Sequence, residues 1–172
     1  MTAARRRDEI LQALAGASGP VSAAALAARL GVSRQVVVGD VALLRAAGSP
    51  IVATPRGYVL GGGQEGGGVR CTVACRHGLD GLLDELYTVA DCGCGVLDVT
   101  VEHPVYGQLS GQLQVFSRYD ADVFWDALQK NGAQPLCSLT GDIHLHTLVC
   151  PDEARKARVL AALEEKGYLM GL

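Results

Sequence analysis

The first sixty residues form short amphipathic segments separated by breaks that contain glycine or proline. Apolar side chains recur three and four residues apart, which is the period of one face of a helix. This pattern predicts three helices, which cover about residues 3–14, 22–30 and 34–47. Gly31 lies between the second and third helices, and Ser33 is placed to cap the third. Two apolar segments, 51–53 and 58–60, flank a Pro55–Gly57 turn and predict a hairpin.

Two helices joined by a glycine-containing turn and followed by a hairpin are typical of a winged helix-turn-helix domain. The start of its third helix enters the major groove, where Arg and Gln contact base edges and Ser contacts a phosphate. The predicted DNA contacts on that helix and at the hairpin tip are Ser33, Arg34, Gln35, Val38 and Arg56. We also expect the arginines at 5–7 to contact phosphates. A three-helix interaction module with a solvated arginine face is the alternative.

The rest of the chain mixes alternating apolar segments with helical stripes. The alternation predicts strands at about residues 69–76, 95–103, 108–116 and 143–150. The stripes predict helices at about residues 79–90, 121–131 and 152–166, the last starting at Pro151. This order, βαββαβα, favours an α+β domain in which helices cover one face of an antiparallel sheet.

A glycine-rich segment, residues 61–68, separates the two patterns. Six of its eight residues are glycine, which disfavours both helix and strand, so it is predicted to be a linker. The net charge also changes sign there, from +3 over residues 1–68 to −6 over residues 69–172. We therefore predict a DNA-binding domain at 1–60, the linker at 61–68 and a second domain at 69–172. A basic half favours a polyanionic partner.

Composition narrows the class of protein. The chain has 172 residues, of which 49% are hydrophobic and 19% charged, which is too apolar for a disordered chain. It has neither an apolar run long enough to span a bilayer nor a signal-peptide pattern, so we expect a cytoplasmic protein without membrane association. The six cysteines are then expected to be reduced and mostly buried.

His144 and His146 flank Leu145 in the last predicted strand, so both imidazoles point to one face of the sheet. We expect Leu145 to lie in the core and the histidines on the other face. Two adjacent buried imidazoles are costly without a partner, and a divalent metal supplies one. His77 after the first strand and Glu85 on the following helix can complete an N₃O set, which suits Zn, Ni or Co. Solvated surface histidines are the alternative.

These residues resemble the niacin-responsive transcriptional repressors, the NiaR family, which combine a winged helix-turn-helix with a three-histidine (3H) domain. The matching segments are 32–38, 40–45, His77 with Glu85, His103–Gly107 and Asp142–Leu148. The resemblance implies an HPr-like α+β sandwich that carries one divalent transition metal, Zn, Ni or similar, on His77, Glu85, His144 and His146. It implies a homodimer that binds double-stranded operator DNA, and Arg45 in the matching segment joins the predicted DNA contacts.

The resemblance further implies nicotinic acid, or a related pyridine, as the co-repressor of genes for niacin uptake or NAD biosynthesis. We predict that His103, Tyr106 and Arg118 bind this effector, because arginine suits a planar carboxylate. A strand-end role for His103 and a surface role for Arg118 are the alternatives.

Two other functions compete with a niacin-responsive repressor. In a metal-responsive regulator, the metal alone is the signal. In a metal-dependent hydrolase, a bound water is activated beside a carboxylate base, for which Glu102 and Asp142 are the candidates. A basic helix-turn-helix domain has no use in a hydrolase, so we predict that the protein is not an enzyme.

Overall fold

The computed structural model describes residues 2–61 and 68–171 and divides into two compact units, Met1–Glu65 and Gly66–Leu172. Residues 62–67, which make up most of the predicted linker, lie outside the described residues. In the described part of the chain, no helix is both long and apolar enough to cross a membrane.

The amino-terminal unit consists of three helices and a hairpin, as predicted. Its elements are α1 (Ala3–Ala15), α2 (Ala23–Leu30), α3 (Arg34–Ala46), β1 (Ile51–Thr54) and β2 (Gly57–Leu60). Each helix has a side-chain N-cap: the hydroxyl oxygens of Thr2, Ser22 and Ser33 accept backbone N–H groups of the first turn. Gly31 closes α2 in the left-handed conformation, which allows the sharp turn into α3.

The hairpin is fixed to the helices through its second strand. Tyr58 forms an antiparallel bridge with Val21, with both N–H···O distances at 2.9 Å. Gly57 adopts a φ of +137°, and a Cβ there would lie 2.4 Å from the Val21 carbonyl oxygen. Only glycine meets both conditions, so this residue sets the position of the hairpin.

The carboxy-terminal unit is α+β, as predicted. Its elements are β3 (Val69–Arg76), α4 (Leu79–Asp91), β4 (Gly95–His103), β5 (Gly107–Val115), α5 (Arg118–Asn131), a 3₁₀ helix (Leu136–Thr140), β6 (Ile143–Cys150) and α6 (Glu153–Glu165). The strands form an antiparallel sheet in the order β3-β6-β4-β5. The sequence did not predict the 3₁₀ helix. Asp152, not Pro151, caps α6, because its carboxylate accepts the Arg155 N–H.

The inner face of the sheet differs from the prediction in β6. The buried residues of this strand are His144, His146, Leu148 and Cys150. Leu145 is half-buried on the opposite face, so its predicted place in the core was wrong. The reason is that helix α4 provides a polar partner, Glu85, for the two imidazoles, which makes their burial tolerable.

Candidate metal centre and nucleic-acid interface

Three structural elements bring His77, Glu85, His144 and His146 together. His77 directly follows β3, and Glu85 lies on the second turn of α4, which packs back over the sheet. His144 and His146 point inward from β6, which is the neighbour of β3 in the sheet. All four residues predicted from the spacing therefore meet at one end of the inner face.

The carboxylate of Glu85 lies at the centre of this cluster. Its Oε2 atom is 2.6 Å from the Nε2 atom of His77, 3.3 Å from that of His144 and 3.2 Å from that of His146. Glu85 is only 1% exposed. Its second oxygen, Oε1, is buried and has no hydrogen-bond partner among the described residues. A buried carboxylate oxygen without a partner is costly, so the cluster is incomplete as a set of protein groups alone.

Backbone carbonyls fix the other nitrogen of each ring. Nδ1 of His77 lies 2.9 Å from the Gly78 oxygen, and Nδ1 of His146 lies 2.7 Å from the Asp98 oxygen. Nδ1 of His144 lies 3.1 Å from the Asp142 oxygen. A carbonyl only accepts, so each Nδ1 is the donor and a neutral ring has its lone pair on Nε2. Three Nε2 atoms thus converge on one carboxylate oxygen.

Irregular backbone supplies two of these carbonyls. A β-bulge in β4 shifts the register between Val96 and Asp98. The backbone carbonyl of Asp98 then accepts from His146 Nδ1, and its side-chain Oδ1 accepts from the Thr147 N–H. Asp142 has a φ of +69°, and its carbonyl accepts from both His144 Nδ1 and the His77 N–H. Sequence reasoning missed both positioning roles, because a bulge and a left-handed Asp leave only weak sequence signals.

The charges in the cluster support one another. Burial alone would raise the pKa of Glu85, but the surrounding histidines hold it well below its usual value. Burial would lower the pKa of His77 and of His146, yet the hydrogen bond and charge of Glu85 raise both above the usual value. The carboxylate is therefore ionised, and without a metal, protons shared with these imidazoles balance it.

Cys75 is a further donor that sequence reasoning missed. It pairs with His144 in the β3–β6 register and is fully buried. One ligand atom each of Cys75, Glu85 and His144 lies within 4.8 Å of the others. Burial, and then the Glu85 carboxylate, raises the pKa of this thiol, so it carries its proton when no metal is present. The sequence signal that could have indicated this donor is the position of Cys75, two residues before His77 on the inward-facing side of β3.

A partly open, mostly apolar cavity adjoins the cluster. Its walls come from the sheet, α4, α5 and the 3₁₀ helix. The lining side chains are His77, Leu82, Glu85, Leu86, Val99, Leu113, Phe124, Pro135, Leu136, Cys137, His144 and His146. Three imidazoles and one carboxylate thus form part of the lining of a cavity with otherwise mostly apolar walls, an arrangement common in small-molecule sites.

The structure does not bring His103, Tyr106 and Arg118 to this cavity. His103 Nδ1 accepts the backbone N–H groups of Val105 and Tyr106, and the Tyr106 ring is largely exposed. Arg118 forms two hydrogen bonds to Asp91, at 2.7 and 2.5 Å. The effector role of these three residues stays a prediction.

The predicted DNA contacts lie on α3 and the hairpin. Ser33 caps α3 by accepting the Val36 N–H, and Arg34, Gln35 and Arg45 are exposed. Val38 is half-buried against the helical core, so only part of this side chain faces solvent. Arg56 is half-buried at the turn between β1 and β2.

The three arginines of α1 have different partners. The Arg6 side chain forms two hydrogen bonds to the buried Asp40 of α3, one of them at 3.2 Å. Arg7 lies 3.6 Å from the same carboxylate, and Arg5 pairs with Glu9 on the surface at 3.4 Å. Arg6 thus links α1 to α3, which differs from the phosphate contact predicted for it.

Comparisons with known proteins agree with this two-part architecture. An HTH-domain family model matches residues 6–59, and a 3H-domain family model matches residues 70–172. The probable transcription repressor NiaR of Thermotoga maritima is 43% identical over 165 residues, which cover 96% of this chain and 93% of the relative. The transcription repressor NadR of Bacillus subtilis is 40% identical over 169 residues, covering 97% and 94% respectively.

The fold and these similarities define a transcription repressor with a helix-turn-helix domain followed by an α+β 3H domain. More specifically, the chain belongs to the 3H-domain family of repressors that includes NiaR and NadR.

Proposed function

We propose that this repressor binds operator DNA as a cytoplasmic homodimer and responds to nicotinic acid, with one divalent transition metal per chain in the carboxy-terminal unit. Its targets are genes of niacin uptake or NAD biosynthesis, in keeping with the names of its relatives. The protein has no catalytic role in this proposal.

The observation that carries the proposal is the convergence of three Nε2 atoms on Glu85 Oε2, with Glu85 Oε1 left unpartnered. Because each Nδ1 donates to a carbonyl, a neutral ring has only a lone pair on Nε2. The three Nε2 atoms and the Glu85 carboxylate are then all electron-pair donors, and a cation is the partner that satisfies them together. A divalent cation bound by His77, Glu85, His144 and His146 would act as a Lewis acid for these four donors. The carbonyls on Nδ1 orient the rings, as is usual around metal-binding imidazoles.

The adjoining cavity is the proposed effector site. Phe124, Leu113 and Leu136 provide apolar walls for a flat pyridine ring, while the bound cation would act as a Lewis acid for a carboxylate. This arrangement favours nicotinic acid over nicotinamide, because a carboxylate is a stronger ligand for a divalent cation than a neutral amide. The effector role predicted for His103, Tyr106 and Arg118 would add contacts from outside the residues that line this cavity.

The DNA side of the proposal uses the start of α3 and the hairpin. Arg34, Gln35 and Arg45 are exposed on α3, where base and phosphate contacts form in winged helix-turn-helix domains. Ser33, at the start of the helix, and the half-buried Val38 belong to the same proposed contact surface. Arg56 is proposed to contact phosphate from the hairpin. Two such domains in a homodimer would read half-sites one helical turn apart.

The test is calorimetric titration of nicotinic acid into the full chain, once metal-loaded and once stripped by a chelator. We expect binding only with metal, and no comparable binding of nicotinamide. His146→Asn should abolish metal retention and nicotinate binding. His103→Gln is the matched control for metal retention, because it removes a histidine outside the centre. Loss of nicotinate binding in this variant, with metal retained, would support the effector role predicted for His103.

Three results would contradict the proposal. Nicotinate binding of equal strength in the stripped protein would show that effector binding does not depend on the metal. A metal-loaded, folded protein that binds no nicotinate yet changes DNA affinity on metal addition would make it a metal-responsive regulator. Hydrolysis that is lost in Glu102→Gln or Asp142→Asn would favour the hydrolase.

A further inference from the structure

Cys75 occupies an unusual position for a buried cysteine. It is 0% exposed and lies on the inner face of β3, directly opposite His144 in the strand register. Cys75 and Cys150 both belong to the buried apolar core of this unit, and Cys150 lies at the other end of the β3–β6 pair. Cys75 differs in that it also lies beside an imidazole and a carboxylate, those of His144 and Glu85.

The distances place its sulfur within reach of a shared ion. Donor atoms of Cys75, Glu85 and His144 all lie within 4.8 Å of one another. With bonds of about 2.3 Å to sulfur and about 2.0 Å to nitrogen or oxygen, neighbouring ligand atoms of one ion lie about 3.1–3.5 Å apart, depending on the number of ligands. A contraction of up to about 1.7 Å would therefore bring all three donors onto one metal.

Charge balance gives an independent reason for a thiolate. A divalent cation with three neutral imidazoles and the Glu85 carboxylate leaves a net charge of +1 in a centre whose side chains are almost completely buried. A buried net charge is costly. One thiolate removes it, because the two negative ligands then cancel the charge of the ion.

We propose that Cys75 binds the metal of this centre as a thiolate, so that the donor set contains nitrogen, oxygen and sulfur. On binding, the Cys75 S–H bond breaks, its proton leaves to solvent, and the sulfur lone pair forms the bond to the metal. This inference rests on the metal site proposed above. A thiolate shifts the preference of the site towards borderline and soft ions such as Zn²⁺ and Co²⁺.

The test is titration of Co²⁺ into the chelator-stripped full chain under reducing conditions, followed by absorption spectroscopy. Visible d–d bands report that Co²⁺ is bound, and a near-ultraviolet sulfur-to-cobalt charge-transfer band reports a thiolate ligand. We expect both in the wild-type protein. Cys75→Ser should keep the visible bands and lose the charge-transfer band. Cys71→Ser, on the same face of the same strand, is the matched control and should keep both.

The outcomes separate this inference from the metal proposal. Visible bands without a charge-transfer band in the wild-type protein would overturn the role of Cys75 and leave the metal site intact. A charge-transfer band that survives Cys75→Ser would overturn it as well. If no bands appear in a folded protein, the metal site itself fails and the inference fails with it.

X-ray absorption of the wild-type protein loaded with Zn²⁺ gives a second measurement that needs no variant. We expect one sulfur at about 2.3 Å among nitrogen and oxygen ligands at about 2.0–2.1 Å. A shell of nitrogen and oxygen alone would overturn the proposal.

Discussion

The three consecutive arginines of α1 allow a stringent test of how the DNA-binding unit is stabilised. Arg6 binds Asp40, whose side chain is 4% exposed, and the Arg6 side chain is itself 17% exposed. Arg5 is 77% exposed and pairs with Glu9 one turn away. Arg6→Ala would leave the Asp40 carboxylate buried with a weaker partner, whereas Arg5→Ala removes only a surface pair.

The expected magnitudes differ several-fold. Breaking a buried ion pair costs about 3–5 kcal/mol, because a charge is left uncompensated. Arg7 lies 3.6 Å from Asp40 and can compensate in part, so we expect a loss of about 2–3 kcal/mol for Arg6→Ala. For Arg5→Ala we expect about 0.3–0.5 kcal/mol, the usual size of a helical i,i+4 pair.

Hydrogen–deuterium exchange resolved by peptide measures these losses in α1 and α3 without interference from the second unit. Protection in both helices should fall together in Arg6→Ala and stay near wild type in Arg5→Ala. Equal protection in the two variants would refute the reasoning. Because the Arg5 side chain is exposed, Arg5→Ala should still lower operator affinity and reduce the salt dependence of binding by about one phosphate contact.

Three further predictions concern stability. Ser33→Ala removes the N-cap of α3 and should lower the free energy of unfolding by about 1 kcal/mol, measured by urea denaturation. An unchanged urea midpoint of unfolding would contradict the capping role. Leu163→Ala leaves a cavity at a fully buried position and should lower the free energy of unfolding by about 2–5 kcal/mol. The fluorescence of the single tryptophan, Trp125, measures this unfolding, and a loss below about 1 kcal/mol would contradict the prediction. Gly57→Ala should displace the hairpin, because its Cβ would lie 2.4 Å from the Val21 oxygen. Loss of the Val21–Tyr58 amide protection by NMR checks this, and retained protection would refute it.

Much of the histidine–glutamate cluster was predictable because strand parity is a strict rule. Alternation in β6 places His144 and His146 on one face whatever the tertiary structure. Parity does not say which face is buried, and apolar residues occur on both faces of this strand. The prediction for Leu145 therefore failed, since the deciding residue, Glu85, lies 59 positions away from His144 in the chain.

Other features depend on contacts that sequence patterns do not contain. The predicted effector role of Arg118 rested on its charge, but Asp91, 27 residues earlier, pairs with it. Arg6 likewise appears as one of three equivalent arginines until Asp40 of α3 is found beside it. Cys75 was grouped with the other cysteines as a reduced and mostly buried side chain, because its proximity to Glu85 arises only when α4 packs on the sheet.

The central claim is that metal and nicotinate together control DNA binding by this repressor. The most direct measurement is fluorescence anisotropy with a duplex selected by the protein from a random-sequence library, under four conditions: stripped protein, metal alone, nicotinate alone, and both. We predict that operator affinity rises roughly 5- to 150-fold only when both are present, the usual range of allosteric coupling. The same affinity in all four conditions, or the full rise with metal alone, would contradict the account.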